Sequence, residues 1–297
     1  MSTPSVQSLC PDRPPPTRVL VLGATGMVGR SWIEHLRVQG IECDGLTRPK
    51  FDLMAPDSIQ RCLSESSKPY DLVVNAAAWT DVDGAETDEP GATRANAHAV
   101  AEIAAICKAS GSTLITYSTD YVFSGDAQSP YPVDAPINPI NAYGRSKALG
   151  ESLLSESGAE HILIRTSWVY APWGNNFVRT ISKLAQSRDE LMVVNDQQGR
   201  PTSAQRLAES SLALYLKGAL GTWHLTDADE CTWFDFATQI AKRTNPACSV
   251  RPCGSETYPR PAARPSYSTL DIADSTDLIG PIGSWKSQLS EVLDGTP

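Results

Sequence analysis

No stretch of this 297-residue sequence is apolar over the roughly 18 residues that a membrane-crossing helix requires, so no span and no membrane partner are predicted. Paired cysteines are absent too. The seven, at positions 10, 43, 62, 107, 231, 248 and 253, are odd in number and scattered, with no C-x-x-C among them. Neither a disulfide framework nor a zinc site is supported by that pattern. Histidine is scarce and dispersed (His35, His98, His161, His224), and no metal site is predicted. His161, at the mouth of an apolar strand, reads as a packing or capping residue. Positive charge is in deficit: 25 Lys and Arg against 34 Asp and Glu leave a net charge of −9, which argues against nucleic acid as the main partner. A pocket on an acidic protein can still be locally positive, so an anionic small ligand stays compatible. The opening "MSTPSVQSLCPDRPPP" has neither the basic start nor the apolar core of a signal peptide, and a cytoplasmic location follows as the expectation. Its Pro and Ser content predicts a disordered leader over residues 1–16. Internal repeats and long charge blocks are lacking as well.

What is present is alternation. Hydrophobic residues make up 41% of the chain, enough for a sizeable core. "TRVLVLGATGMVGRSWIEHLRVQG" reads as strand, glycine turn and helix; "IECDGLTR" as a second strand; "FDLMAPDSIQRCLSESS" as loop and helix; "YDLVVNAAA" as a third strand. An alanine-rich helix then ends at Gly111, a suitable cap. "STLITYSTD", a helix from "NPINAYGRSKALGESLLSESG" and "HILIRTSWVY" continue the rhythm. Strands alternating with helices of this length predict an α/β fold, a Rossmann-type doubly wound parallel sheet. The expected domain covers 17–171, with later segments returning to it, and 172–297 contribute mainly a smaller carboxyl-terminal substrate-binding lobe. "TYPRPAARPSYSTLD" reads as a loop.

Gly23, Gly26 and Gly29 in "GATGMVG" fall between the first strand and its helix, with Thr25, Met27 and Val28 between them. A turn of that kind brings backbone N–H groups to a pyrophosphate at a helix N-terminus. The spacing of three and three departs from the two-and-three dinucleotide fingerprint. At the end of the second strand, where an acidic residue would bind ribose hydroxyls, the chain reads "GLTRPK". Arg48 suits a 2′-phosphate, which favours NADPH over NADH. Asp44 lies too early, inside the strand, and the competing view is that Arg48 and Lys50 form an ordinary solvated turn.

Tyr143 and Lys147 in "NAYGRSKALGE" are four apart and share a helix face. A nearby ammonium favours the phenolate, lowering the phenol's pKa and tuning it as a proton donor to a carbonyl oxygen. Such a pair alone is common on any helix. This one follows a strand ending in "YSTDYVF", where ligands gather in a parallel sheet. Thr119 is placed to hydrogen-bond a substrate carbonyl, with Ser118, Asp120 and Tyr121 flanking it, although Ser118 also reads as a turn or cap residue.

"GATGMVG", "NAAAWTDVDGAE", "STDYVFSG", "NPINAYGRSKALGE", "IRTSWVYAPWGNNFV" and "VNDQQGRPTSA" together resemble the extended short-chain dehydrogenase/reductases and, more narrowly, the dTDP-4-dehydrorhamnose reductase family. The similarity runs from about Thr17 through "RPAARPSYSTLD". It implies Tyr143 as catalytic acid with Lys147 and Thr119, and Ala76, Ala77 and Thr80 along the cofactor. Asp52 and Leu53 match the acidic and aliphatic pair near the adenine. On the substrate side, Trp168 matches the aromatic lining the hexose pocket, Asn176 the amide near the diphosphate, and Arg264 an arginine meeting that diphosphate. A neighbouring position that is often arginine is Ala263 here, so the nucleotide grip departs from the pattern. The implied reaction is NADPH-dependent reduction of the C4 ketone of dTDP-4-dehydro-L-rhamnose. Alternatives are a ketoreductase or epimerase on another nucleotide-linked deoxysugar, or a non-catalytic NADP-binding regulatory subunit. The nucleotide sugar is the expected partner; oligomeric state, a homodimer included, is left open.

Overall fold

In the computed structural model, which describes residues 7–64 and 69–295, the apolar runs lie side by side as strands. First in the chain are β1 (Ser8–Leu9), β2 (Arg18–Leu22), β3 (Glu42–Leu46), β4 (Leu72–Asn75), β5 (Thr113–Thr119) and β6 (His161–Thr166). Three short pairs follow: β7 (Val169–Tyr170) beside β10 (Thr202–Ser203), β8 (Glu190–Val194) beside β13 (Ser249–Cys253), and β9 (Gln198–Gly199) beside β12 (Cys231–Thr232). Between them, β11 (Ala219–His224) joins the main sheet, whose order is β1-β11-β6-β5-β4-β2-β3. All its neighbours are parallel except β1 and β11.

Alternation along β2 shows why a parallel sheet suits these residues. Val19 and Val21 enter one core with Trp32, Leu36 and Ile115, while Leu20 and Leu22 enter the other with Ile59, Ile103 and Leu163. Burial on both faces requires the near-continuous apolar run that the sequence carries. The helices are α1 (Met27–Val38), α2 (Pro56–Ser64), α3 (Val82–Thr87), α4 (Glu89–Thr93), α5 (Ala99–Ser110), α6 (Ala142–Ser157), α7 (Phe177–Ser187), α8 (Ala204–Leu216), α9 (Trp233–Thr244), α10 (Ala273–Ile279) and α11 (Trp285–Asp294). Helix α1 packs against α8 on one face, and α5 packs against α2 and α6 on the other. Gly111 caps α5 in the left-handed region at φ 72°. A separate core of Tyr170, Val178, Ile181, Leu191, Phe236 and Trp285 fills the lobe formed by α7, α9, α11 and the β8–β13 pair.

The strand order reverses at β2: β3 lies on one side and β4 on the other, which opens a crevice at their carboxyl ends. No helix among the described residues is long and apolar enough to cross a membrane.

Residues 7–16 correct the expectation of a disordered leader. Ser8 and Leu9 pair with Leu220 and Ala219, and the Cys10 N–H bonds the Gly218 carbonyl at 2.9 Å. Arg13 then reaches Glu160 at 2.7 Å and lies over the Tyr215 ring. Composition counted the prolines as disorder, but their fixed φ keeps the segment extended while Arg13 anchors it. The part of that expectation falling on residues 1–6 lies outside the described residues.

Candidate active site

The crevice begins at the glycine turn. Gly23 takes φ 78°, and a Cβ there would lie 2.8 Å from the Ala77 nitrogen in the loop after β4. A Cβ on Gly29 would run into the Gly23 carbonyl, so α1 can fold back onto the turn only with glycine at that position. Gly26 precedes α1 in extended conformation and gives no side-chain cap. The first-turn N–H groups of α1 therefore keep their hydrogen-bonding capacity for an anion.

Opening from this turn is a cleft of about 540 Å³. Gly23, Thr25, Gly26, Met27 and Val28 form one wall, and Ala76, Ala77 and Thr80 face them from the loop after β4. Arg48, Asp52 and Leu53 line the same cavity, whereas Gly29 serves it from behind as the contact that seats α1. The Thr25 and Thr47 hydroxyls meet at 3.0 Å, tying the turn to the end of β3. Asp44 is held within β3 by Arg18 at 2.6 Å and Tyr70 at 2.8 Å, which leaves Arg48 as the cationic group lining this end of the cleft, with Asp52 near it. Asn75, Trp79, Tyr117, Thr166 and Val169 also line it, and the sequence reading missed them. Asn75 and Thr166 are the last residues of β4 and β6, so their position at strand ends was the available signal.

Helix α6 brings Tyr143 and Lys147 to the same cavity, together with Ser118 from β5. Asn141 caps α6 by accepting the Gly144 N–H at 2.7 Å. The glycine between tyrosine and lysine has a specific reason, since a Cβ on Gly144 would strike the Tyr121 carbonyl. Contact with that turn seats the helix, and the Tyr143 ring meets Tyr121 edge-on with centroids 6.2 Å apart.

The Thr119 side chain lies close enough to the Tyr143 phenol to act on it, and its hydroxyl donates to Asp120 Oδ1 at 3.0 Å. Burial pushes the phenol pKa up, the neighbouring Asp120 adds to the rise, and Thr119 opposes it. This corrects the expectation that Lys147 lowers the phenol. The ammonium is instead directed to the Tyr117 carbonyl, at 3.1 Å. Burial brings Lys147 down to about 8, against the pull of Glu151. Ser118 donates to Glu151, which pairs with the fully buried Arg165 at 2.7 Å. Asp120 is 2% exposed, and burial pushes its carboxyl up to about 7.

The residues matched to the substrate side are spread over several elements and do not line the same cavity. Trp168 adopts φ 48° and stacks on Trp233, centroids 3.6 Å apart, with Gly199 against its ring. Asn176 caps α7 by accepting the Arg179 N–H, and its Nδ2 donates to Ala171 and Trp173 carbonyls. Its amide is committed to local structure, and Trp173 donates to the Met27 carbonyl at the start of α1. Arg264 is paired with Asp83 at 2.6 Å, while the Ala263 carbonyl accepts Asn141 Nδ2. Among the described residues, no group of three or more His, Cys, Asp or Glu is placed to hold a metal ion.

The donor set fits a dinucleotide. Two glycines bring backbone within reach of a pyrophosphate, an uncapped helix start supplies N–H groups, and Arg48 suits an added phosphate. Comparison with known proteins agrees. Residues 17–296 match the RmlD substrate binding domain family. The chain is 40% identical over 270 residues to a dTDP-4-dehydrorhamnose reductase of Burkholderia thailandensis, covering 85% of this chain and 90% of that protein. It is 37% identical to a dTDP-4-keto-6-deoxy-D-glucose reductase of Streptomyces niveus, over 93% of this chain and 96% of the other. A crystal structure of the Bacillus anthracis dTDP-4-dehydrorhamnose reductase in complex with NADP superposes with a TM-score of 0.89 at 32% identity, covering 94% and 99% of the two chains.

Proposed function

The chain belongs to the RmlD family of NAD(P)-dependent reductases, and from that premise we propose that it reduces the C4 ketone of a dTDP-linked 6-deoxy-4-keto-hexose with NADPH, dTDP-4-dehydro-L-rhamnose being the substrate. The observation that carries this reading is Tyr143, which lines the dinucleotide cleft beside Thr119 and shares the cavity with Lys147. A regulatory subunit would be free to lose any of the three.

When bound, the cofactor supplies the hydride for the ketone carbon. The chain supplies the proton and its placement. Because burial raises the phenol pKa, Tyr143 keeps its proton at neutral pH. The ketone oxygen becomes a far stronger base as reduction proceeds, and only then does the phenol yield the proton. Thr119, at the carboxyl end of β5, orients that oxygen. The Lys147 ammonium, held by the Tyr117 carbonyl, adds positive charge to the cavity in which the phenolate develops. Trp168 and Arg264 are assigned to the hexose and the diphosphate, with Arg264 exchanging Asp83 for phosphate oxygens.

The Streptomyces niveus relative favours a second reading, because a reductase named for another deoxysugar is nearly as similar. Both readings share the C4 ketone and the acid. NADPH consumption by the native chain with dTDP-4-dehydro-L-rhamnose, beside Tyr143→Phe, tests them together. Turnover is expected to fall by about a hundredfold or more in the variant while NADPH binding is kept. Absence of turnover by the native chain sinks the rhamnose assignment, and turnover with another dTDP-keto sugar replaces it.

A further inference from the structure

Ser118, the last residue but one of β5, lines the cleft together with Tyr143 and Lys147, yet its hydroxyl proton is already committed. It goes to Glu151 Oε1. Glu151 lies on α6, four positions beyond Lys147 and eight beyond Tyr143, so the three share one helix face. Behind it stands Arg165 of β6, 0% exposed, whose Nη2 donates to Glu151 Oε2 at 2.7 Å and whose Nε donates to Oε1 at 3.0 Å. A further bond, from Arg165 Nη1 to the Val133 carbonyl at 2.7 Å, fixes the guanidinium.

The direction of these bonds follows from the charges. An arginine keeps its proton in a protein, and the carboxylate paired with it can only accept. Ser118 must therefore donate to Glu151. A hydroxyl carries one proton, so what Ser118 has left for the cavity is lone pairs. It can hold a ligand N–H or O–H, and it cannot donate to a ketone oxygen. That separates Ser118 from the groups that orient the reacting carbonyl.

We propose that Ser118, locked as an acceptor by Glu151 and Arg165, receives an N–H of the nicotinamide carboxamide of the cofactor, which makes Glu151 and Arg165 positioning residues for its reactive end. The inference rests on the reductase reading, because Tyr143 as the acid requires the nicotinamide at the Tyr143 end of the cavity, where Ser118 lies. Two kinds of cofactor group can donate there. A ribose hydroxyl either donates or accepts, and it suits Lys147, whose ammonium has three N–H groups and directs one at the Tyr117 carbonyl. The carboxamide nitrogen only donates, and it pairs with the side chain that only accepts.

NADP and its 3-acetylpyridine analogue, which carries a methyl group in place of the carboxamide nitrogen, test this by calorimetry with no sugar present. The native chain is expected to bind NADP about threefold to tenfold more tightly than the analogue, the effect of one hydrogen bond. Ser118→Ala should lower NADP affinity by a similar factor and abolish the preference. Glu151→Gln should abolish it too, since a glutamine amide accepts from Arg165 and donates to Ser118, turning the hydroxyl proton toward the cavity. A merely structural loss would weaken both ligands alike and keep the preference. Equal binding of the two ligands by the native chain, or a preference that survives in Ser118→Ala, overturns the contact. A preference kept in Glu151→Gln overturns the lock. If Glu151→Gln does not fold, because Arg165 has lost its counter-charge, Ser118→Ala decides alone. A native chain that shows the preference but reduces no keto sugar keeps this contact and loses the reductase reading, so the two fail separately.

Discussion

The two walls that serve the proposed chemistry are built in opposite ways. The dinucleotide wall comes from short contiguous stretches, residues 23–28, 47–54 and 75–80, each following directly on a parallel strand. The substrate side is assembled from pieces far apart in the chain. Trp168 follows β6, Gly199 lies against it from β9, Trp233 stacks on it from α9, and Arg264 comes from a late loop. A contiguous wall has its geometry written in local spacing and glycine placement. An assembled wall depends on tertiary packing, and its residues carry little local signature. Change should therefore be tolerated differently on the two sides.

The largest effect is expected at Gly29. An added Cβ would overlap the Gly23 carbonyl, and backbone at a tight turn cannot yield as a side-chain end can. Overpacking of this kind costs about 1–3 kcal/mol, and it moves the very turn that meets the pyrophosphate. Gly29→Ala should weaken NADPH binding by about tenfold to a hundredfold and lower the melting temperature. Gly26→Ala, whose Cβ would stand 3.3 Å from the same carbonyl, should do much less. Fluorescence titration with NADPH ranks the two variants, and equal affinities would break the account of the contiguous wall.

On the assembled side, the expected effect is smaller and of a different kind. Trp168→Ala removes the stack on Trp233, an arrangement worth about 0.5–1.5 kcal/mol beyond area burial. Under the assignment of Trp168 to the hexose, KM for the keto sugar should rise by about tenfold, while NADPH affinity stays at the native level. If NADPH affinity falls in parallel, the two walls are mechanically one, and the division drawn above fails.

The same division explains what could be read in advance. The sheet was legible because apolar runs buried on both faces, such as Val19 to Leu22, look alike in any parallel sheet. The glycine turn, Arg48 and the Tyr143/Lys147 face were legible because each rests on a local spacing. Three things were not. Residues 7–16 form an ordered edge because Arg13 finds Glu160, almost 150 positions away. The raised phenol of Tyr143 comes from burial and from Asp120, whereas a helix-face argument sees only Lys147. Asn176 serves as a helix cap over residues 176–180, a local pattern that the family match had obscured.

A buried acid on the assembled side allows the finest test of the comparison. Asp227 is fully buried, accepts the Ser203 N–H at 2.9 Å and the Tyr170 hydroxyl at 3.3 Å, and keeps Oδ1 without a hydrogen-bond partner. Burial pushes its carboxyl up to about 7 from an ordinary 3.8. Between those values the folded chain binds the proton more tightly than the unfolded chain does. The stabilisation is therefore fully present below the unfolded value and is lost as pH rises through about 7. Asp120, shifted in the same direction, contributes a loss of the same sign from the catalytic side. Asp227→Asn, which cannot ionise, should flatten the fall in stability between weakly acidic and weakly alkaline pH by about 1–2 kcal/mol. Urea midpoints measured across that range check it. NADPH affinity should not move with this variant, because Asp227 touches Tyr170 and β10 rather than the glycine turn. An unchanged pH slope would mean that Asp227 stays ionised in the folded chain, with Arg206 or water offsetting its burial.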